Sequence, residues 1–413
     1  MRKKRDLFAA HLLCVLLFCT AVQGQSIRKI YINPKNPAVQ KQSTFVDSIH
    51  FIPFDYTEGV NFENAYARPT KKYYFIADYK EKALYFYSKT GAFIKKVDFS
   101  ATGTNLNPSY RANTDQIVFL GNNPNYTLTP RDRIKILLDW SNKRNLKYFR
   151  KYVIDLNDTS FTIRKSSPDK YDLTGAQPFY ADHYIQTKIS TSKLYPDSIG
   201  HEVNIYADGK LLNSFFPYNR INEPRFLFGE ENVSTSLSDT PSISYLARPF
   251  CDTIYRLADD NLSPVYQLVL PLENSLPSTF FSNPFKTKTE KENFTRNNGW
   301  VFHQAYNFYE TRRSLYFSIS FFGRFESFVY DKQTGVAYNV TKIRSDPQQY
   351  NLPLLTSQSF RSGNRFYKLL KAEYLISFFK QNPGIPVPKE LALFLQKNPD
   401  KNTPVAVEYS LKN

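Results

Sequence analysis

Apolar and aromatic runs broken by short polar turns recur along this chain about once per 50–60 residues, the spacing of a repeat architecture. The unit is clearest in Tyr73–Ile94, Asn204–Phe215, Thr253–Leu268 and Ser327–Lys342. Their turns are Ser88-Lys89-Thr90-Gly91, Ala207-Asp208-Gly209-Lys210, Ala258-Asp259-Asp260-Asn261 and Asp331-Lys332-Gln333-Thr334-Gly335. Gly, Asn and Asp tolerate the left-handed backbone that tight hairpins need, so each unit is predicted to be strand-turn-strand.

Further units span about Gln116–Leu156 and Phe179–Phe216; the fourth is Ser242–Leu270 and the fifth Trp300–Ile343. Within the second, Arg133–Asp139 and Lys147–Ile154 alternate about a turn at Asn142–Asn145 and are predicted as paired strands. The sixth is less regular. It predicts a strand at Arg365–Leu370 and a helix at Ala372–Gln381 with Tyr374, Leu375, Phe378 and Phe379 on one face. A second helix follows over Pro388–Lys397, opened by proline, and then a strand over Thr403–Leu411. Phe45–Phe54 reads as a strand with no hairpin partner. Pairing it with Val405–Leu411 hides both edges and closes a ring. The fold expected is all-β: a six-bladed β-propeller over residues 45–413, its N-terminal strand completing the last blade, with short C-terminal helices. Residues 25–44 read as an extended lead-in, and 195–201 and 283–298 as loops.

Residues 1–24 read as an export signal. Arg2–Arg5 is basic, Leu12–Phe18 is apolar but too short to span a bilayer, and Ala21-Val22-Gln23-Gly24 suits a signal peptidase. A lipid anchor at Cys19 is disfavoured by the bulky Phe18 before it. Cleavage at Gly24 leaves Cys251 as the only thiol, so an exported domain of this size must hold together by its core rather than by a disulfide. No other stretch has the length and apolarity of a membrane span. Phe and Tyr number 35 and 30 while Gly numbers 14, a balance suited to strands. The formal charge is +17, of which the signal carries three, and it favours acidic partners. For an exported protein these are acidic glycans or envelope components rather than nucleic acid.

Four stretches carry a family resemblance: Phe45–Phe54, Phe86–Ile94, Asp252–Leu257 with Pro264-Val265-Tyr266, and Asn402–Val407 with Ser410-Leu411-Lys412. The chain resembles the exported six-bladed β-propeller proteins of Bacteroidetes. That likeness implies the fold and an envelope location and brings no catalytic residues. The family's Gly-Pro-Gly-Glu-Tyr stretch is replaced here by Thr102–Tyr110.

The residues that could do chemistry are sparse. The exported part holds four histidines with no His-x-His or His-Glu-x-x-His spacing, so neither a metal nor another cofactor is expected. There is no Gly-x-Ser-x-Gly elbow and no phosphate-cradling glycine loop. Propeller ligands sit at the axial mouth. Ala67-Arg68-Pro69 and Ala247-Arg248-Pro249 recur at similar points of units one and four, so Arg68 and Arg248 are candidate anion ligands. Trp300 and His303 are candidate sugar contacts. The expectation is a monomeric, non-catalytic binding or scaffold propeller recognising an acidic glycan or an envelope partner protein. The other class open is a polysaccharide lyase or hydrolase built from axial Arg, His and Tyr residues.

Overall fold

The computed structural model describes residues 27–413 apart from 36, 58–66, 103–107, 134–142, 169–171, 173–175, 188–198, 220–231, 239, 241, 281–284, 286, 356–359, 363–364, 398 and 400–401. The export signal with Cys14 and Cys19 therefore lies outside the described residues. Six blades follow one another along the chain, each built on antiparallel strands; consecutive strands are neighbours in every blade, and two blades gain a further strand from the N-terminal region. Blade one is Ala67–Pro69, Tyr73–Asp78, Ala83–Ser88 and Phe93–Asp98. Blade two is Ser109–Arg111, Gln116–Asn122, Phe149–Asp155 and Ile163–Ser166. Blade three is Gln177–Pro178, Tyr184–Gln186, Ile199–Ala207 and Lys210–Asn219. Blade four is Ser234–Leu237, Ile243–Ala247, Thr253–Ala258 and Asn261–Val269, and blade five is Phe302–Glu310, Ser314–Phe321, Arg324–Asp331 and Val336–Asn339.

Blade six joins the chain ends. Phe360–Ser362, Arg365–Lys371 and Pro404–Leu411 run outward, and Val46–Pro53 pairs antiparallel with the last of these, Val407 opposite Phe51 and Val405 opposite Pro53. This is the closure expected from the unpaired N-terminal strand. It leaves neither terminal strand with a bare edge on that side.

Turn chemistry sets the hairpins. Asp78 Oδ1 accepts from the backbone N–H groups of Lys80 and Glu81 at 2.9 and 3.0 Å, fixing the first turn. Gly91 sits at φ +90°, where an added Cβ would lie 1.9 Å from the carbonyl oxygen of Pro53. Only glycine therefore lets the blade-one turn lie against the end of the closing strand.

Aromatic and aliphatic side chains fill the spaces between blades. Tyr316 and Tyr338 of blade five pack with Phe366 and Tyr409 of blade six, and the helices Ala372–Gln381 and Lys389–Gln396 add Leu375, Phe379 and Leu391 to the same cluster. Leu375 and Leu391 are fully buried, each worth about 1.5–3 kcal/mol relative to exposure. The apolar stripes read from the sequence are thus what seats these helices on the closed blade.

Four local expectations change. Of the loop expected at 195–201, residues 199–201 open the strand Ile199–Ala207 and the rest lies outside the described residues. Phe149–Asp155 pairs with Gln116–Asn122, and residues 143–148 form a 3-10 turn, while most of the strand expected at 133–139 lies outside the described residues. The lead-in is not merely extended: Arg28–Tyr31 adds to blade four as a fifth strand, parallel to Asn261–Val269, burying Ile30 and Ile32. Fourth, 283–298 contains the helix Lys288–Asn297, whose cap Thr287 accepts from the N–H of Glu290 at 3.2 Å. Thr287-Lys288-Thr289-Glu290 is a capping-box spacing, a signal present in the sequence.

Candidate functional site

In blades one to five the first, innermost strand ends in a turn, and these turns converge, with Arg361 and Arg365 of blade six beside them. Together they line an axial cavity of about 2000 Å³ to which all six blades contribute. That exceeds the usual 300–1,000 Å³ or so of a small-molecule pocket, so the mouth has room for an oligomeric ligand. The cavity also reaches outward along blade six as far as His50 and Ile52 of the closing strand.

Two of these turns are built alike. In blade one the Thr70 N–H bonds the Tyr73 carbonyl at 2.8 Å, with Lys71 and Lys72 between them. In blade five the Thr311 N–H bonds the Ser314 carbonyl at 2.8 Å, enclosing Arg312 and Arg313. Each threonine hydroxyl reinforces the turn: Thr70 Oγ1 lies 3.0 Å from the Tyr73 carbonyl and Thr311 Oγ1 accepts from the Ser314 N–H at 2.9 Å. The first basic residue of each pair, Lys71 or Arg312, is exposed on the cavity wall. The blade-one turn is braced by Tyr110, which accepts from the Lys71 N–H at 3.0 Å and donates to Asp115 at 2.8 Å. Burial, with Asp115 as acceptor, pushes the Tyr110 hydroxyl well above the ordinary tyrosine range, so it stays protonated.

The carboxylates at the mouth are already engaged. Asp172, its side chain 1 % exposed, is held by Arg111 at 2.5 Å and Lys151 at 3.1 Å. Glu408 is paired with Arg365 and lies 3.4 Å from the Tyr74 hydroxyl. Lys89, over the Tyr74 ring at 4.4 Å, has its pKa lowered by burial, which the Glu408 charge only partly opposes. Arg361 bridges inward, donating to the Leu237 carbonyl at 2.6 Å with its guanidinium 4.9 Å from the Tyr309 ring centre. Basic residues thus come from blades five, six, one and two. The wall from blades three and four is apolar, aromatic and hydroxylic, with Phe179, Tyr180, Leu237, Thr240 and Ser242.

The residues expected to bind sit elsewhere. Arg68 lies on the innermost strand of blade one, but Arg248 follows the second strand of blade four, so the two Ala-Arg-Pro sequences are not structurally equivalent. Arg68 donates to the Pro108 carbonyl at 2.6 Å. Arg248 grips Glu202 through two bonds of 3.0 and 2.6 Å and stacks on Phe216. Trp300 packs against Phe321, with the Arg324 guanidinium 3.5 Å from its ring centre. His303 stacks on Phe322, and its Nδ1 lies 3.3 Å from Ser320 Oγ. None of the four lines the cavity, because Arg248, Trp300 and His303 flank the starts of innermost strands and the mouth forms where those strands end. His50 is the histidine that does line it. The repeat that marks the mouth is Thr70-Lys71-Lys72 and Thr311-Arg312-Arg313, which is visible in the sequence. Among the described residues no group of three His, Cys, Asp or Glu side chains could hold a metal ion.

Residues 206–365 match the model of the DUF5128 family, a 6-bladed beta-propeller. The protein is a six-bladed β-propeller. A Bacteroides fragilis protein whose name marks it as inferred to be exported aligns with this propeller over 94 % of this chain and 100 % of its own, at 14 % identity and TM-score 0.52. A member of the DUF4221 family from Bacteroides vulgatus aligns over 89 % and 98 %, at 10 % identity and TM-score 0.43. The likeness to the first is one of fold. No curated protein matches the chain. Among the described residues no helix is long and apolar enough to cross a membrane.

Proposed function

We propose that this propeller is an exported, non-catalytic binding module of the cell envelope that takes an acidic oligosaccharide in its axial mouth. The supporting observation is the mismatch of charge there: Asp172 and Glu408 are held by basic partners, whereas Lys71 and Arg312 stand exposed on the wall with no ion pair among the described residues. A polyanionic chain lying over blades five, six and one meets these cations. Its sugar faces meet Phe179 and Tyr180 across the cavity.

Titration of acidic and neutral oligosaccharides by calorimetry tests this reading. An acidic chain binds, with affinity falling as salt rises because exposed charges are screened over about 8 Å at physiological ionic strength. The double variant Lys71→Glu/Arg312→Glu weakens binding about tenfold or more, equivalent to about 1.4 kcal/mol. Equal binding of neutral and acidic chains, or indifference to the double variant, removes the proposal.

One observation favours the lyase or hydrolase reading. Tyr367, Glu408 and His50 are opposite one another on three adjacent strands of blade six, all on the cavity wall, with Arg365 beside Glu408. Turnover of an acidic polysaccharide that disappears in His50→Ala while binding persists establishes that second reading.

A further inference from the structure

Blade four with its added strand, and Glu310 of blade five, form a second, open cavity of about 210 Å³, lined by Arg28, Tyr245, Arg256, Tyr266 and Glu310 together with Pro264 and Val265. Glu310 is the one lining residue it shares with the axial mouth. Arg28 comes from the strand Arg28–Tyr31, which docks parallel on blade four with Arg28 opposite Tyr266. Arg256 comes from the third strand of the same blade, opposite Tyr245.

The only carboxylate lining this cavity is already engaged and charge-balanced. Glu310 accepts from the hydroxyls of Tyr245 and Tyr266 and from Lys332, whose ammonium lies 2.5 Å from its Oε1. Lys332 therefore balances the charge of Glu310, and the two tyrosine hydroxyls take two more of its four or so acceptor sites. The two arginines are left over. Neither forms an ion pair among the described residues, and the Nε of Arg256 is buried without a hydrogen-bond partner. Both arginines line the cavity beside the carboxylate-bound tyrosines, Arg28 opposite Tyr266 and Arg256 opposite Tyr245 across the strands.

We propose that this cavity binds a single tetrahedral oxyanion, phosphate or sulfate, held between Arg28 and Arg256. Two guanidinium forks present paired N–H donors, and a group with four oxygens can meet both, whereas one carboxylate is used up by one fork. A buried guanidinium nitrogen lacking a partner is costly unless a ligand supplies the acceptor. The bound ion would also tie the first strand to blade four, because one of its two ligands is on that strand. The same chemistry is offered by the free ion and by a phosphate or sulfate ester on a larger molecule.

Calorimetric titration of the full chain with inorganic phosphate, sulfate, methyl phosphate and acetate provides the test. Phosphate or sulfate binds with 1:1 stoichiometry, acetate does not, and both Arg256→Gln and Arg28→Gln weaken binding at least tenfold. The Arg28 variant guards against misfolding, since its side chain is exposed on an added strand. Lys71→Glu/Arg312→Glu leaves this binding unchanged, which separates the small site from the mouth. Backbone hydrogen exchange of residues 28–32 slows when phosphate is added. Methyl phosphate binding as tightly as the free ion assigns the site to an esterified group, and weaker binding assigns it to the ion; either keeps the oxyanion site. No binding at millimolar phosphate and sulfate, acetate binding equally well, or binding lost in the mouth variant and kept in Arg256→Gln overturns it.

Discussion

Replacing Arg248 by alanine removes the bidentate partner of a carboxylate that has no exposure to solvent. Glu202 is 0 % exposed, and Arg248 meets it through Nε and Nη2 at 3.0 and 2.6 Å while its guanidinium lies 4.6 Å from the Phe216 ring centre. Burial opposes the charge on Arg248, yet Glu202 holds its pKa above the ordinary value, so the guanidinium keeps its charge. Breaking a buried pair from one side strips the other charge of this bidentate partner and costs about 3–5 kcal/mol. Removing both charges with groups of similar volume, as in Arg248→Met/Glu202→Gln, recovers most of that loss. Urea denaturation measures this without screening charges. The single variant should unfold at markedly lower urea with an unchanged slope, the double variant near the parent, and acidic-oligosaccharide affinity should stay within twofold in both. A single variant destabilised by less than about 1 kcal/mol but unable to bind the oligosaccharide would refute this account and return Arg248 to the ligand site.

Gly91→Ala should destabilise by more than about 1 kcal/mol in the same urea assay, because its Cβ would collide with the Pro53 carbonyl. Gly209→Ala, also at positive φ but with nothing within 4 Å, should cost less. Tyr409→Ala, fully buried in the closing strand pair, should lower stability by about 3–5 kcal/mol, read as a fall in thermal midpoint. Glu310 gives a pH dependence: burial raises its pKa, but hydrogen bonds from Lys332, Tyr245 and Tyr266 outweigh this and hold it below the ordinary carboxylate range. Its stabilising contribution is therefore present above an unfolded pKa of about 4.3 and is lost as pH falls through the lower folded value. The stability gap between the parent and Glu310→Gln should accordingly narrow on acidification, and a gap that widens below pH 4 or so contradicts the assignment.

The blades were legible because strand pairing is largely local. Alternating side chains and Asp- or Gly-bearing turns act over a few residues, so Thr253–Ala258 with Asn261–Val269 could be read as a hairpin from spacing alone. The closing strand was legible for a different reason, that an apolar strand without a neighbour must find an edge. Arg28–Tyr31 escaped notice because one four-residue strand carries too little pattern, and its parallel partner is more than 200 residues away. The two Ala-Arg-Pro copies were paired because they repeat as a word, but they do not repeat as a place: one copy is an innermost strand and the other leaves a second strand.

By itself, then, the sequence determined the number of blades, their closure between Phe45–Phe54 and Val405–Leu411, and the apolar stripes of the C-terminal helices, since each follows from side-chain period and turn chemistry. Tertiary structure alone decided which charges remain available. Lys71 and Arg312 are 241 positions apart and become neighbours of one cavity only when the ring closes. Arg248 and Glu202, 46 positions apart, are consumed by each other in the interior. A guanidinium reads the same in either place, and only burial and the nearest carboxylate decide whether it holds the fold or faces a ligand.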